Sequence, residues 1–220
     1  LFRSMANAET AFGLRPVGLA GAGVNSTGVT EYEIASDNAN AIYQYGLVIP
    51  TSAGVIARAA DTAGGTTAAL GVLMGIQYQD SVQKKPVWLN YWPGSASVSV
   101  DTNYPVKAYV ADNPNQIFVV AADASLTDRA TALAGVFANA DLGASARTGS
   151  TDTGRSNSQL DVDSIATTAT LPLRIVGLSD DPANNDWASA GAHLLVRINA
   201  HFNAATRSFD SQTTADSTGV

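Results

Sequence analysis

Apolar and polar positions along this chain alternate in short runs, interrupted by glycine, proline and asparagine. Val29-Thr30-Glu31-Tyr32-Glu33-Ile34 alternates as a strand with one buried face does. Comparable runs follow at 46–50, 54–58, 69–79, 86–91, 95–100, 106–111 and 116–122, and two more at 171–178 and 193–199. The strongest local signal predicts a hairpin of 106–110 with 116–120 around Asp112-Asn113-Pro114-Asn115. Asp and Asn side chains cap turns there, and the proline fixes one φ angle and removes a donor. A second Pro/Asn/Asp turn, 180–186, joins the last two runs. One segment reads as helix, 125–134, with a Ser or Thr cap, an early Asp and an Ala-rich run up to Gly135. The predicted fold is mainly β: a single β-barrel or jelly-roll-like sandwich with one short helix and extended terminal arms. The expected divisions are an N-terminal arm over 1–14, a β-rich domain over 15–203 and a C-terminal tail over 204–220 that lacks a core-forming pattern.

A chain of 220 residues suits one all-β domain or two small ones. Its 14% charged residues fall well under the roughly 25% of an ordinary soluble domain, while the 45% hydrophobic content is normal. Such a surface is polar but weakly charged, which suits a protein covered by neighbours or a secreted β protein. The net charge is −7, and the three lysines and nine arginines are scattered. Nucleic acid needs clustered cations against its phosphates, so it is not an expected partner. Cysteine is absent, which excludes disulfides and thiolate chemistry. No apolar run approaches the roughly 18 residues of a membrane helix, so no membrane partner is expected. Residues 1–4 precede Met5 without the apolar stretch of a signal peptide, and Met5 is the expected natural start.

The candidate chemistry is thin. Asp152-Thr153-Gly154 matches the aspartic-protease triplet, but polar residues flank it and no second triplet supplies the partner carboxylate, so it reads as a polar turn. His193 and His201 are the only histidines. At about 3.3 Å per residue they lie roughly 26 Å apart in one strand, too far to share a metal ion. A polar edge or interface position is expected for each. No Gly-x-Ser-x-Gly elbow marks a nucleophile. Gly18-Leu19-Ala20-Gly21-Ala22-Gly23 lacks the Lys-Ser/Thr of a phosphate loop and reads as a flexible loop. Asn25-Ser26-Thr27 is a glycosylation sequon by pattern alone. Trp88, Tyr91 and Trp92 form the one aromatic cluster; Trp88 with one neighbour is expected in the core, or at a protein interface, rather than as a sugar platform. No catalytic, cofactor or metal residues are assigned.

Asn7-Ala8-Glu9-Thr10-Ala11-Phe12-Gly13-Leu14-Arg15-Pro16-Val17 resembles the opening of a family of cement or decoration proteins on tailed-bacteriophage heads. The stretch 148–201, a polar Gly/Ser/Thr loop followed by two strand runs, resembles that family's C-terminal half. The resemblance implies a structural, non-enzymatic virion protein on the outer surface of the capsid. It would bind the major capsid protein and bridge neighbouring capsomers against the pressure of packed DNA, as a homotrimer or, second, a dimer. The implied partner contacts are Phe12, Leu14 and Arg15 of an arm that leaves its own core, together with Trp88, Tyr91 and Trp92. The competing readings are a tail or head-fibre module, a carbohydrate-binding β-sandwich using the Trp88–Trp92 cluster, and a hydrolase with dispersed residues.

Overall fold

A computed structural model describes residues 7–8, 11–21, 28–59, 68–143 and 148–204. Residues 1–4 with Met5, the sequon at Asn25, the end of the glycine loop and the tail over 205–220 lie outside these. The fold is mainly β, with two six-stranded sheets and one short α-helix. The strands are β1 Arg15–Leu19, β2 Thr30–Ile34, β3 Leu47–Pro50, β4 Ile56–Arg58, β5 Gly71–Gln79 and β6 Pro86–Leu89 in the first half. The second half holds β7 Val106–Ala111, β8 Gln116–Ala121, β9 Asn139–Leu142, β10 Leu160–Ala166, β11 Leu173–Leu178 and β12 His193–Ile198. The helix α1 is Arg129–Ala134.

One sheet runs β1-β8-β12-β11-β9-β10; the other runs β3-β4-β2-β7-β5-β6 with an added β3–β5 pairing. That pairing returns the second sheet on itself, so β3, β4, β2, β7 and β5 form a ring and β6 hangs on β5. Alternation explains the ring. On β7, Val106, Ala108 and Val110 are at most 1% exposed, whereas Lys107 and Tyr109 point the other way. A bulge between Leu73 and Gly75 shifts the β5–β7 register, the kind of irregularity that lets a sheet curve. Inside lie Ile34, Val48, Ile56, Leu73, Ile76 and the three β7 residues, with Ile42 and Trp92. Trp92 is 0% exposed, and its indole N–H donates to the Asn38 carbonyl at 2.9 Å.

The two sheets share a second core. Leu47 and Val72, register partners on β3 and β5, pack against Phe118, Val120, Leu173, Ile175, Leu194 and Val196 of the first sheet. All of β2–β7 therefore lies between β1 and β8 in sequence, although β1 and β8 are paired neighbours.

Several expectations need correction. The predicted hairpin of β7 with β8 does not form: β7 pairs with β2 and β5, and β8 with β1 and β12. The turn between them is real, with the Asn115 N–H donating to Asn113 Oδ1 at 2.8 Å, but it carries the chain from one sheet to the other. The run at 95–100 is not a strand; Ser95–Ser97 make a 3₁₀ turn. The helix is capped by Asp128, whose side chain accepts from the Thr131 N–H, and not by Ser or Thr. The connection through 180–186 does join the two strands expected there, and β11 and β12 pair antiparallel.

The N-terminal arm is also corrected over its described part. Phe12 is 4% exposed and Leu14 0%, so both pack within their own chain. Gly13 sits at φ +81, and this left-handed turn sends Phe12 to Val119, Ala121 and Leu195 while Leu14 enters the shared core on the other side.

Candidate binding surface

The opening motif is a docking device within the fold. Asn7 is buried, and its side-chain N–H donates to the Asp186 carbonyl at 3.0 Å and the Ala190 carbonyl at 2.9 Å. Its Oδ1 accepts from the Asp186 N–H at 3.0 Å. Phe12 meets the His193 ring edge-on at 5.0 Å, and the Arg15 guanidinium lies 4.8 Å from the Phe12 centroid. Gly13 N–H donates to the Ser158 carbonyl and Leu14 N–H to the Tyr45 carbonyl. The two segments that carry the phage resemblance, 7–17 and 148–201, thus bind each other.

The aromatic cluster is split three ways, and the partner contact expected of Trp92 is corrected, because that side chain is buried. Trp92 fills the ring. Tyr91 stacks on Tyr43 at 5.4 Å and 5°, beside the loop at 148–158. Asn90 Nδ2 donates to the Thr153 carbonyl at 2.6 Å, and Gln44 N–H to the Gly154 carbonyl at 2.9 Å. Tyr91 is thereby engaged within the chain. Trp88 alone is open, 61% exposed on the outer face of β6, which reverses the expectation that it fills the core. It stacks on Tyr109 at 5.8 Å and 13°.

Around that pair, Trp88 lies opposite Gln77, Gln77 opposite Lys107 and Lys107 opposite Glu33; Tyr109 lies opposite both Gly75 and Glu31. The Tyr109 hydroxyl donates to Gln77 Oε1 at 3.2 Å, and Lys107 Nζ meets Glu31 at 2.9 Å. The Glu31 carboxylate holds the Lys107 ammonium above its usual range. One broad sheet face therefore carries an open aromatic plate with an amide and an ion pair beside it.

The remaining candidates are structural. Asp152 and Thr153 are exposed in a turn, as expected for that triplet. His193 and His201 are 1% and 7% exposed; His193 lies on β12, between β8 and β11, so the edge expected as one alternative is not its position, and His201 is buried just beyond that strand. His193 Nδ1 is 3.9 Å from Asp181, and Phe12 covers its ring. His201 Nδ1 accepts from the Asn203 N–H, and burial pushes its pKa below 6.5 against the opposing pull of Asp112. Asp112 accepts from the hydroxyls of Thr30 at 2.8 Å and Tyr32 at 2.6 Å. Burial and that carboxylate raise the Tyr32 pKa. No cluster of three or more His, Asp or Glu among the described residues is arranged to hold a metal ion. No helix among the described residues is long and apolar enough to cross a membrane.

Sequence reasoning missed Tyr109 and Phe137. Phe137 follows α1, is 81% exposed and holds φ +74, a left-handed backbone that a bulky residue rarely adopts. Leu133, four residues earlier, is 51% exposed. Compared with models of protein families, with curated proteins and with solved structures, the chain gives no significant match in any of the three.

Proposed function

We propose that this chain is a structural virion protein that binds the outer face of a tailed-phage capsid and bridges neighbouring capsomers. The observation that carries the reading is the packing of 7–17 against 148–201. Two stretches far apart in sequence, each resembling the same family, form one hydrogen-bonded and aromatic unit, as expected if they were inherited together. A protein that binds the assembled shell but not separate subunits stabilises the shell by mass action. The acidic net charge favours the outside, away from packed DNA. The reading assigns no turnover to the chain and a homotrimer as its assembly, with a dimer second.

Of the contact residues first expected, Arg15, Trp88 and Tyr91 are exposed or half-buried. Phe12, Leu14 and Trp92 are interior, which leaves exposed apolar groups to meet the capsid. Phe137, just after α1, and Leu133, within it, are the chosen pair, because strain retained at an exposed phenylalanine points to use elsewhere. Purified protein mixed with expanded, undecorated heads of the phage whose genome encodes it should bind saturably and appear outside the shell by cryo-electron microscopy. Failure to bind such heads, or density inside the shell, rejects the proposal. Protease, esterase or glycosidase turnover abolished by Asp152→Ala or by replacing either histidine rejects the non-enzymatic part.

A further inference from the structure

We infer that the outer face of the β6-β5-β7-β2 sheet is a glycan-binding site, with Trp88 and Tyr109 as the stacking plate. Trp88 is an indole left 61% open on a sheet face, and it is held in place. Opposite Gln77 in the register, it reaches diagonally to stack on Tyr109 at 5.8 Å and 13°. Gly75, opposite Tyr109, adds no side chain to the gap. The plate is therefore ordered before any ligand arrives, which reduces the entropy lost on binding.

The shape and the surrounding charges choose among ligand classes. A quaternary ammonium is held by several rings set around it, whereas these two rings are nearly parallel and stacked on each other, so that Tyr109 backs the indole and Trp88 is the exposed ring. A nucleotide would bring phosphate against Glu31 and Glu33, with Lys107 already committed to Glu31 at 2.9 Å. An aliphatic protein patch would bury the Lys107–Glu31 pair, Glu33 and Gln77 without new partners, at the cost of their desolvation. A pyranose ring meets each requirement. Its C–H face stacks on an indole through weak C–H contacts with the π cloud. Its hydroxyls both donate and accept, so they can replace water on Glu31, Glu33 and Lys107. The Gln77 oxygen is taken by the Tyr109 hydroxyl at 3.2 Å, and the NH₂ of the same amide takes no part in that bond. A neutral sugar chain lying along the face is the ligand that the face fits.

This site is separate from the Phe137 contact, so the inference does not rest on shell binding. The test uses the full chain with neutral cello-, malto- and chito-oligosaccharides as probes, followed by calorimetry and by acrylamide quenching of tryptophan fluorescence. The expected result is saturable binding of at least one series below about 10 mM, weakened at least about tenfold by Trp88→Ala. The bound sugar should also shield the exposed tryptophan of the unmodified protein from acrylamide, a readout that needs no variant. Tyr109→Phe keeps the plate and should bind within about fivefold of the original chain. No binding by any probe at about 10 mM overturns the inference, as does undiminished binding by Trp88→Ala. Loss of shell affinity in Trp88→Ala without any response to sugars overturns it too, and identifies the face as a protein contact.

Discussion

Replacing Leu14 by alanine separates a segment that belongs to its own core from one that reaches for a partner. Leu14 is 0% exposed and packs in the core that joins the two sheets, and its N–H donates to the Tyr45 carbonyl at 2.9 Å. Truncating a fully buried leucine costs about 2–5 kcal/mol, the upper part of the range applying where neighbours cannot collapse into the void. Collapse is hindered here because strands from both sheets wall the site. At about 2–4 °C of melting temperature per kcal/mol for a chain of this size, the loss amounts to on the order of 10 °C. Urea denaturation followed by tryptophan fluorescence measures the free energy, and calorimetry the melting temperature. An unchanged slope of free energy against urea, with a lower midpoint, identifies a pure stability effect. A loss below about 1 kcal/mol in the isolated protein, with weakened trimer or shell binding, refutes the placement of Leu14 and restores the free-arm expectation. Phe12→Ala, losing contacts to His193 and Arg15 together, should cost about 3–5 kcal/mol by the same assay.

Four further outcomes follow. Gly13→Ala should destabilise by more than about 1 kcal/mol in urea, since the residue holds φ +81 and a Cβ would sit 2.5 Å from the Tyr45 carbonyl oxygen. Trp92→Ala should cost about 3–5 kcal/mol and Trp88→Ala less than about 1, a contrast that fails if Trp88 is interior. Phe137→Gly should leave the isolated protein as stable or more stable by about 1 kcal/mol, by relieving its left-handed backbone, while weakening capture on expanded heads. For pH, burial lowers the folded-state pKa of His201 below its unfolded 6.5, so the unfolded chain gains a proton first as acid is added. Stability present above pH 6.5 is then lost as pH falls toward the folded pKa, and His201→Gln should flatten that part of the melting curve. The depressed carboxyls of Asp101, Asp128 and Asp181 act at lower pH, as they protonate.

The sheet content was legible because alternation is local: Thr30–Ile34, Val106–Ala111 and His193–Ile198 all pair as strands close to where the pattern places them. Pairing was not legible from the same signal. Asp112-Asn113-Pro114-Asn115 has every residue of a hairpin turn, yet its two strands join different sheets. β7 is taken up by β2 and β5 and β8 by β1 and β12, and the Asp112 carboxylate follows the first of these, accepting from Thr30 and Tyr32 of β2 at 2.8 and 2.6 Å and from Asn203 at 3.4 Å. Those partners lie 82, 80 and 91 residues away in sequence, beyond any turn rule. The tryptophans misled for a related reason. Trp88 and Trp92 share parity, so a continuous strand would put both on one face. The strand ends at Leu89, and the chain bends through Asn90 and Tyr91 to the loop at 148–158, so Trp92 turns inward while Trp88 stays out.

The insertion of β2–β7 between paired neighbours explains why the opening motif has to be interior. A chain that leaves the first sheet after β1 and returns only at β8 must close a long loop, at an entropic cost that local pairing does not offset. The β1–β8 ladder, from Arg15↔Val119 to Leu19↔Gln116, is the seam that closes it. Phe12 and Leu14 grip opposite faces of the first sheet just before that seam, and Asn7 ties the start of the motif to the β11–β12 connection. The same residues would do little for a neighbour, because nothing of Leu14 remains exposed to touch one. The word-like motif at the start of this chain is therefore best understood as the clasp of an interrupted sheet.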